Sequence, residues 1–276
     1  MPELPEVEHV VRALRRAVSG RRILAIELNL PRLLAAPSPA VFKRRLSGAS
    51  ITGVSRRGKY ILIELDNDQV LVVHLRMTGK FISVGLDSSL PPYPHIVFHL
   101  DNDRRLVFSD MRQFGRMRLL SAKALQELAQ ITALAPEPLL DEFTPEYLFT
   151  TLKKSRRSLK QLLLDQTKIL GLGNIYASEA LFLARISPFK SADTLSRKRA
   201  LVLYEAIRDV LREAIDAGST LKIDLDDRNG SYFGSDERFW RVYERGGEPC
   251  VNCGTKIRRA VQGGRSTYYC PRCQRR

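Results

Sequence analysis

The sequence predicts a multidomain α+β protein: an N-terminal antiparallel β-sandwich with an opening helix, a helical helix-two-turn-helix domain, and a C-terminal zinc ribbon. Three observations predict it. Short runs rich in β-branched residues crowd the first part of the chain and do not alternate with long helices, which favours an antiparallel sandwich over a parallel sheet. From about residue 132 the apolar spacing becomes helical. All four cysteines lie in two CxxC pairs near the end. The expected domains are 1–131, 132–236 and 237–276.

The opening stretch, MPELPEVEHV, suits a helix start. Proline fits a first turn, where its missing N–H is needed least, and carboxylates favour the positive end of the helix dipole. Val7, Val10, Val11, Leu14 and Val18 then recur at helical spacing. ILAIELNL (23–30), YILIEL (60–65), QVLVVHL (69–75), HIVFHL (95–100), RLVFSD (105–110) and GRMRLL (115–120) read as strands. LDND occurs at 65–68 and again at 100–103, each time between two strand-like runs, as a hairpin turn requires. Ser38-Pro39 starts one short helix, and Gly48 follows its end.

In the helical region, APEP (135–138) reads as a linker and Thr144-Pro145-Glu146 as a helix start. LKQLLLDQ (159–166) forms a second helix and IYASEALFLARI, begun by Asn174, a third. The connection TKILGLG (167–173) makes these two a helix–turn–helix with a longer turn. A long fourth helix runs from Ser196 to Gly218.

Charge narrows the partner. The 276 residues carry 45 Lys and Arg against 30 Asp and Glu, a net +15. That favours a polyanion, nucleic acid first and an anionic membrane surface second. The acidic, amphipathic start is not a signal peptide, and no apolar run approaches the ~18 residues of a membrane span, so a cytoplasmic protein is expected.

Cys250-x2-Cys253 and Cys270-x2-Cys273, sixteen residues apart, fit a four-thiolate zinc ribbon. No His or acidic residue stands in for a thiolate, so one closed, structural Zn2+ is expected. Beyond Cys250 there is no Asp or Glu, while Lys256, Arg258, Arg259, Arg265, Arg272, Arg275 and Arg276 are basic.

PELPEVE, 57-RGKYIL-62, 74-HLRMTG-79, 112-RQFG-115, 171-GLGNIYASEALF-182 and the CxxC pairs with 265-RSTYYC-270 occur in that order. The chain resembles the formamidopyrimidine-DNA glycosylase / endonuclease VIII family along essentially its whole length. Leu4, where endonuclease VIII types carry Gly, points to the oxidised-purine branch. The resemblance implies a bifunctional DNA glycosylase and AP lyase of base-excision repair. It would act as a monomer on damaged duplex DNA, removing 8-oxoguanine and formamidopyrimidines and cleaving the strand by β,δ-elimination. Two alternatives stay open: an enzyme for oxidised pyrimidines, and a catalytically idle damaged-DNA-binding protein.

The resemblance also implies roles. With Met1 removed, Pro2 is the nucleophile. An α-amine titrates near ~8, so part of it is neutral at pH 7, and a secondary amine attacking C1′ yields an iminium. Glu3 acts as general acid or base, and Glu6 supports proton transfer or holds the amine. Lys59 touches the lesion and adjoining phosphate, and Arg265 binds phosphate beside the lesion and serves δ-elimination. Met77, Arg112 and Phe114 fill the hole left by a flipped base. His74 and Asn174 contact phosphate, Arg156 and Lys160 lie near DNA, and Tyr243 faces the DNA side. Three positions depart from the pattern. Tyr93 stands where a DNA-contacting His is common, Gln113 replaces a frequent basic residue, and Glu244 follows Tyr243 where Gly is common. The loop 219–239 is expected to cover the flipped base.

Overall fold

A computed structural model describes residues 2–127, 135–216, 224–226 and 240–275. The chain divides into two compact units, residues 1–132 with 221–235, and residues 133–220 with 236–276. Three domains were expected; in the structure the cysteine-bearing segment shares one unit with the helices.

The first unit opens with α1 (Leu4–Val18), whose buried stripe comprises Val7, Val10, Val11, Leu14 and Val18. It lies on β3 (Ile51–Arg57) and β4 (Tyr60–Leu65). Arg15 clamps it there, donating Nε and Nη2 to the Val54 carbonyl at 3.1 and 2.8 Å. Glu8 adds an ion pair to Arg56 at 2.8 Å. Burial alone would raise the Glu8 carboxyl, but Arg56 and Arg12 outweigh it and hold the group below its ordinary value.

Two sheets form the expected sandwich. One has the order β1 (Ile23–Leu28), β7 (Pro94–Leu100), β8 (Arg104–Asp110), β6 (Gly79–Gly85). The other runs β2 (Leu34–Ala36), β9 (Arg116–Ser121), β5 (Gln69–His74), β4, β3. All pairings are antiparallel except the short β2–β9 contact, which is parallel. Phe81, Phe98 and Phe108 from the first sheet meet Ile61, Ile63, Val73 and Met117 from the second in one core, joined by the α1 stripe. Both LDND segments are turns, with Asp68 and Asp103 at φ 57° and 54°, a conformation Asp tolerates better than most residues. Strands β3 and β6 were not anticipated. Leu225 joins this core, its carbonyl accepting from the Ser83 N–H at 2.7 Å, and Asp226 pairs with Arg104. The remainder of the 219–239 loop lies outside the described residues.

In the second unit, α4 (Pro145–Lys153) is capped by Thr144, whose hydroxyl accepts from the Tyr147 N–H at 3.1 Å. Ahead of it along the chain, α2 (Pro39–Leu46) and α3 (Ala122–Glu127) belong to the first unit. Helix α5 (Leu159–Leu163) is shorter than the expected 159–166. The cause is Asp165, whose Oδ1 accepts from both the backbone and hydroxyl of Thr167 and starts a turn in place of a further helical residue. Helix α6 (Asn174–Leu183) ends before 186 in a Schellman motif, with Ile186 N–H bonded to Leu181 O and Arg185 N–H to Phe182 O, both at 2.9 Å. Helix α7 (Arg197–Asp216) follows; Gly218, its expected stop, lies outside the described residues. Strands β10 (Arg258–Gln262) and β11 (Arg265–Tyr269) form a hairpin across Gly263-Gly264, at φ 55° and 74°.

Candidate functional site

The predicted residues fall into local groups. Pro2, Glu3 and Glu6 are buried at the start of α1. Glu6 closes a capping box with Glu3, its Oε2 accepting from the Glu3 N–H at 2.7 Å. The two carboxylates are thus part of the local structure that fixes the chain beside Pro2.

Lys59 sits in the β3–β4 turn behind Gly58 and is only 6% exposed. An ammonium this buried is held against the cost of desolvation and is not a mobile surface charge. Its field reaches His74, at the end of β5. Burial first, then the charges of Arg76 and Lys59, depress the His74 imidazole to about 3. Its Nδ1 accepts from the Arg76 N–H at 3.0 Å, which leaves the proton on Nε2. His74 is therefore a neutral donor near pH 7. The unfolded imidazole takes up a proton below about pH 6.5, the folded one only near pH 3. This group's stabilising contribution is complete above pH 6.5 and is lost as the pH falls through that window. Between pH 7 and 5 the wild type is expected to lose about 2 kcal/mol more stability than His74→Asn, which keeps an acceptor for Arg76 but does not titrate. Urea unfolding at the two pH values measures this, and parallel losses in the two proteins would refute it.

Met77, Arg112 and Phe114 come together from two loops. Arg112 Nη1 lies 3.2 Å from Met77 Sδ, and its guanidinium carbon 5.2 Å from the Phe114 ring centroid. Met77 is half-buried and Phe114 is 47% exposed, so both are loop-tip residues, not core. The residue that joins the loops was not identified from sequence. Asp110, buried at the end of β8, accepts from Thr78 Oγ1 on one loop. On the other it accepts from the Gly115 N–H at 2.7 Å and the Arg112 N–H at 3.3 Å. Space is tight beside it. A Cβ on Gly79 would sit 2.5 Å from the Leu75 carbonyl, and one on Gly115 would sit 2.6 Å from the Phe108 ring. Asp110→Asn turns an N–H2 toward one of these donors and should cost about 2 kcal/mol of stability, read by thermal or urea unfolding. An unchanged midpoint would show that the bracket is dispensable.

The three departures share a backbone feature. Tyr93, Gln113 and Glu244 have φ of 56°, 58° and 60°, the left-handed region. That accounts physically for a preference for Gly at position 244. The Tyr93 side chain is exposed in the loop before β7, and Gln113 accepts from Arg32.

In the second unit the Ser266 carbonyl is a shared anchor. It accepts from Lys160 Nζ at 2.7 Å and from Asn174 Nδ2 at 3.0 Å. Lys160 also donates to Thr267 Oγ1 at 3.0 Å and is 1% exposed. The Lys160 protons thus hold the β10–β11 hairpin. Asn174 is the first residue of α6, and Gly173, not Asn174, is the cap. Together the two side chains fix the peptide next to Arg265, which is exposed at the hairpin tip. Arg156 is 96% exposed, 4.0 Å from Asp193. Tyr243 donates its N–H to Glu179 Oε1 at 2.9 Å, and its ring meets Tyr268. Glu179 lay inside a quoted motif without an assigned role. Buried in α6, it gathers the N–H groups of Arg241, Val242 and Tyr243, each at 2.9 Å. Burial pushes its carboxyl up, against the pull of those donors and Arg241. A Glu in the apolar run Ala-Ser-Glu-Ala-Leu-Phe was the available signal.

The four cysteine Sγ atoms lie within 4.8 Å of one another. Cys253–Cys270 is 3.5 Å and Cys250–Cys273 is 3.9 Å. Those separations bracket the ~3.8 Å expected between thiolates of a tetrahedral Zn–S4 centre. Burial and the neighbouring sulfurs push Cys273 up to about 12, so a cation is what allows all four to serve as thiolates together. The donor set fits one structural zinc.

Comparison with known proteins agrees along the chain. Residues 1–117 match the formamidopyrimidine-DNA glycosylase N-terminal domain, 134–224 its H2TH domain, and 247–276 a zinc finger found in FPG and IleRS. A formamidopyrimidine-DNA glycosylase of Pelotomaculum thermopropionicum is 46% identical over 275 residues, covering 100% of this chain and 99% of that protein. A solved structure of MutM with carbocyclic 8-oxo-G DNA superposes with a TM-score of 0.90 at 35% identity, covering 100% of both chains. The Lactococcus lactis FPG bound to FAPY-dG DNA does so at 0.90 and 35%, covering 99% of this chain and 100% of that one. Matched from end to end in sequence and in fold, this chain belongs to the formamidopyrimidine-DNA glycosylase family.

Proposed function

We propose that the protein removes 8-oxoguanine and formamidopyrimidines from duplex DNA and then cleaves the strand, acting as a monomer in the bacterial cytoplasm. The observation that carries this is the buried start of α1, where Glu3 and Glu6 close a capping box beside the buried Pro2, on a chain whose end-to-end relatives are glycosylases. Among the described residues no helix is long and apolar enough to cross a membrane.

In this reading the Pro2 nitrogen, freed by removal of Met1, attacks C1′. The C1′–N bond to the base breaks, and Glu3 moves the proton at the opening sugar. The resulting iminium acidifies the C2′ proton; its removal breaks the C3′–O bond, and a second elimination breaks the C5′–O bond. Lys59 and the neutral Nε2–H of His74 face the lesion phosphates, and Met77, Arg112 and Phe114 replace the extruded base in the stack. Asn174 and Arg265 clamp the backbone from the zinc-ribbon side, with Arg156 and Tyr243 adding contacts. Zinc, when bound, supplies structure and no redox or Lewis-acid step.

The test is borohydride trapping of untagged protein on duplex DNA with 8-oxoguanine opposite cytosine. A covalent adduct mapping to Pro2 is expected. Trapping only on oxidised pyrimidines would move the protein to the other branch. Binding without trapping or cleavage on either lesion class would leave a binding module and overturn the enzyme assignment.

A further inference from the structure

A second basic site contains none of the predicted site residues. A cavity of about 310 Å3 in the second unit is lined by Arg185, Lys190, Arg199 and Arg275, with the hydroxyls of Thr194 and Ser196 and with no carboxylate. Several arginines of this unit have an acid nearby: Arg157 pairs with Asp165, Arg197 with Glu146, Arg241 with Glu213, and Arg245 with Glu248. Among the described residues none of the four cavity cations does.

Three of the four cations are delivered by a defined piece of structure. Arg185 occupies the left-handed position after α6, at φ 53°, where the Schellman motif favours glycine. A long basic side chain is thus accommodated at a backbone site that disfavours it. Arg199 is oriented by two bonds of 2.8 Å from its Nη2 to the carbonyls of Ala184 and Arg185. Arg275 is brought in by its neighbour Gln274, which is buried and bridges the Cys270 N–H and the Ile186 carbonyl at 2.9 and 3.0 Å.

We propose that this cavity binds a polyphosphate group. Four converging cations with hydroxyl donors match a ligand carrying several adjacent negative charges. The volume sits at the lower end of small-molecule pockets, larger than one orthophosphate needs. No aromatic side chain lines it, so recognition rests on the phosphates and not on a base. The phosphates come either from a free polyphosphate or from DNA beyond the lesion footprint.

The experiment titrates tripolyphosphate by calorimetry into protein already saturated with a short duplex bearing a tetrahydrofuran abasic analogue. One saturable site is expected, weakened about tenfold by Arg185→Gly and by Lys190→Gln, with excision on the short duplex unchanged. Arg185→Gly relaxes the left-handed backbone, so misfolding does not explain a loss. Repeating the titration on a longer duplex separates the sources: suppressed binding identifies flanking DNA, undiminished binding a free polyphosphate. No saturable binding, or equal affinity in both variants and the wild type, overturns the proposal.

Discussion

A protein that retains a residue ahead of Pro2 will give no borohydride-reducible adduct with 8-oxoguanine duplex, and its strand cleavage will fall by about a thousandfold or more. The lone pair of an amide nitrogen is delocalised into its carbonyl and does not attack C1′, whereas the duplex-binding side chains are untouched, so affinity for an abasic-analogue duplex should be retained. Glu3→Gln should slow the reaction by about 10²–10⁴, the usual range for losing a general acid or base. Glu6 separates positioning from chemistry. Its Oε2 accepts the Glu3 N–H, and a glutamine oxygen can do the same. Glu6→Gln should therefore keep the cap, and Glu6→Ala should lose about 1 kcal/mol of it. If both are equally slow while only the alanine variant is destabilised, Glu6 takes part in the proton transfer. Undiminished trapping by the blocked chain would remove Pro2 from the mechanism.

Much of this site was legible in the sequence because its parts are local. The four cysteines and the opening helix announce themselves by spacing and turn chemistry, whereas the Met77 and Phe114 loops are implied by the family resemblance, with their flanking glycines compatible with loop tips. What escaped depends on tertiary convergence. Asp110 reads as the last residue of a strand, and its function exists only because two loops meet above it. Lys160 is placed near DNA by the resemblance alone, and the sequence carries no sign that its ammonium, carried on α5, turns inward onto Ser266 and Thr267. Strand β3 (ITGVSRR) mixes Gly53, Ser55 and two arginines with its apolar residues. Strand β6 is bounded by glycines. Pairing with β4 and β8 makes them strands, more than their own composition does.

The hairpin anchor predicts that zinc matters beyond the ribbon. Chelating the metal should weaken binding to undamaged and lesion duplex alike, because Arg265 and the neighbouring basic residues lose their fixed hairpin. It should also destabilise the helical unit. Phe182 of α6 shares a core with Cys250, Ile257 and Cys270, and Lys160 has its ammonium buried against Ser266 and Thr267. Without an ordered hairpin that charge loses its acceptors, and stranding a buried charge costs about 3 kcal/mol or more. Lys160→Met removes the charge and keeps much of the volume, so the variant's helical unit should lose less stability on chelation than the wild type's. Thermal unfolding of both proteins, with zinc content measured, reads the difference. Equal losses would mean that the ribbon and the helices are coupled through their other contacts, at Phe182, Asn174 and Gln274, and that the buried lysine is not part of the link.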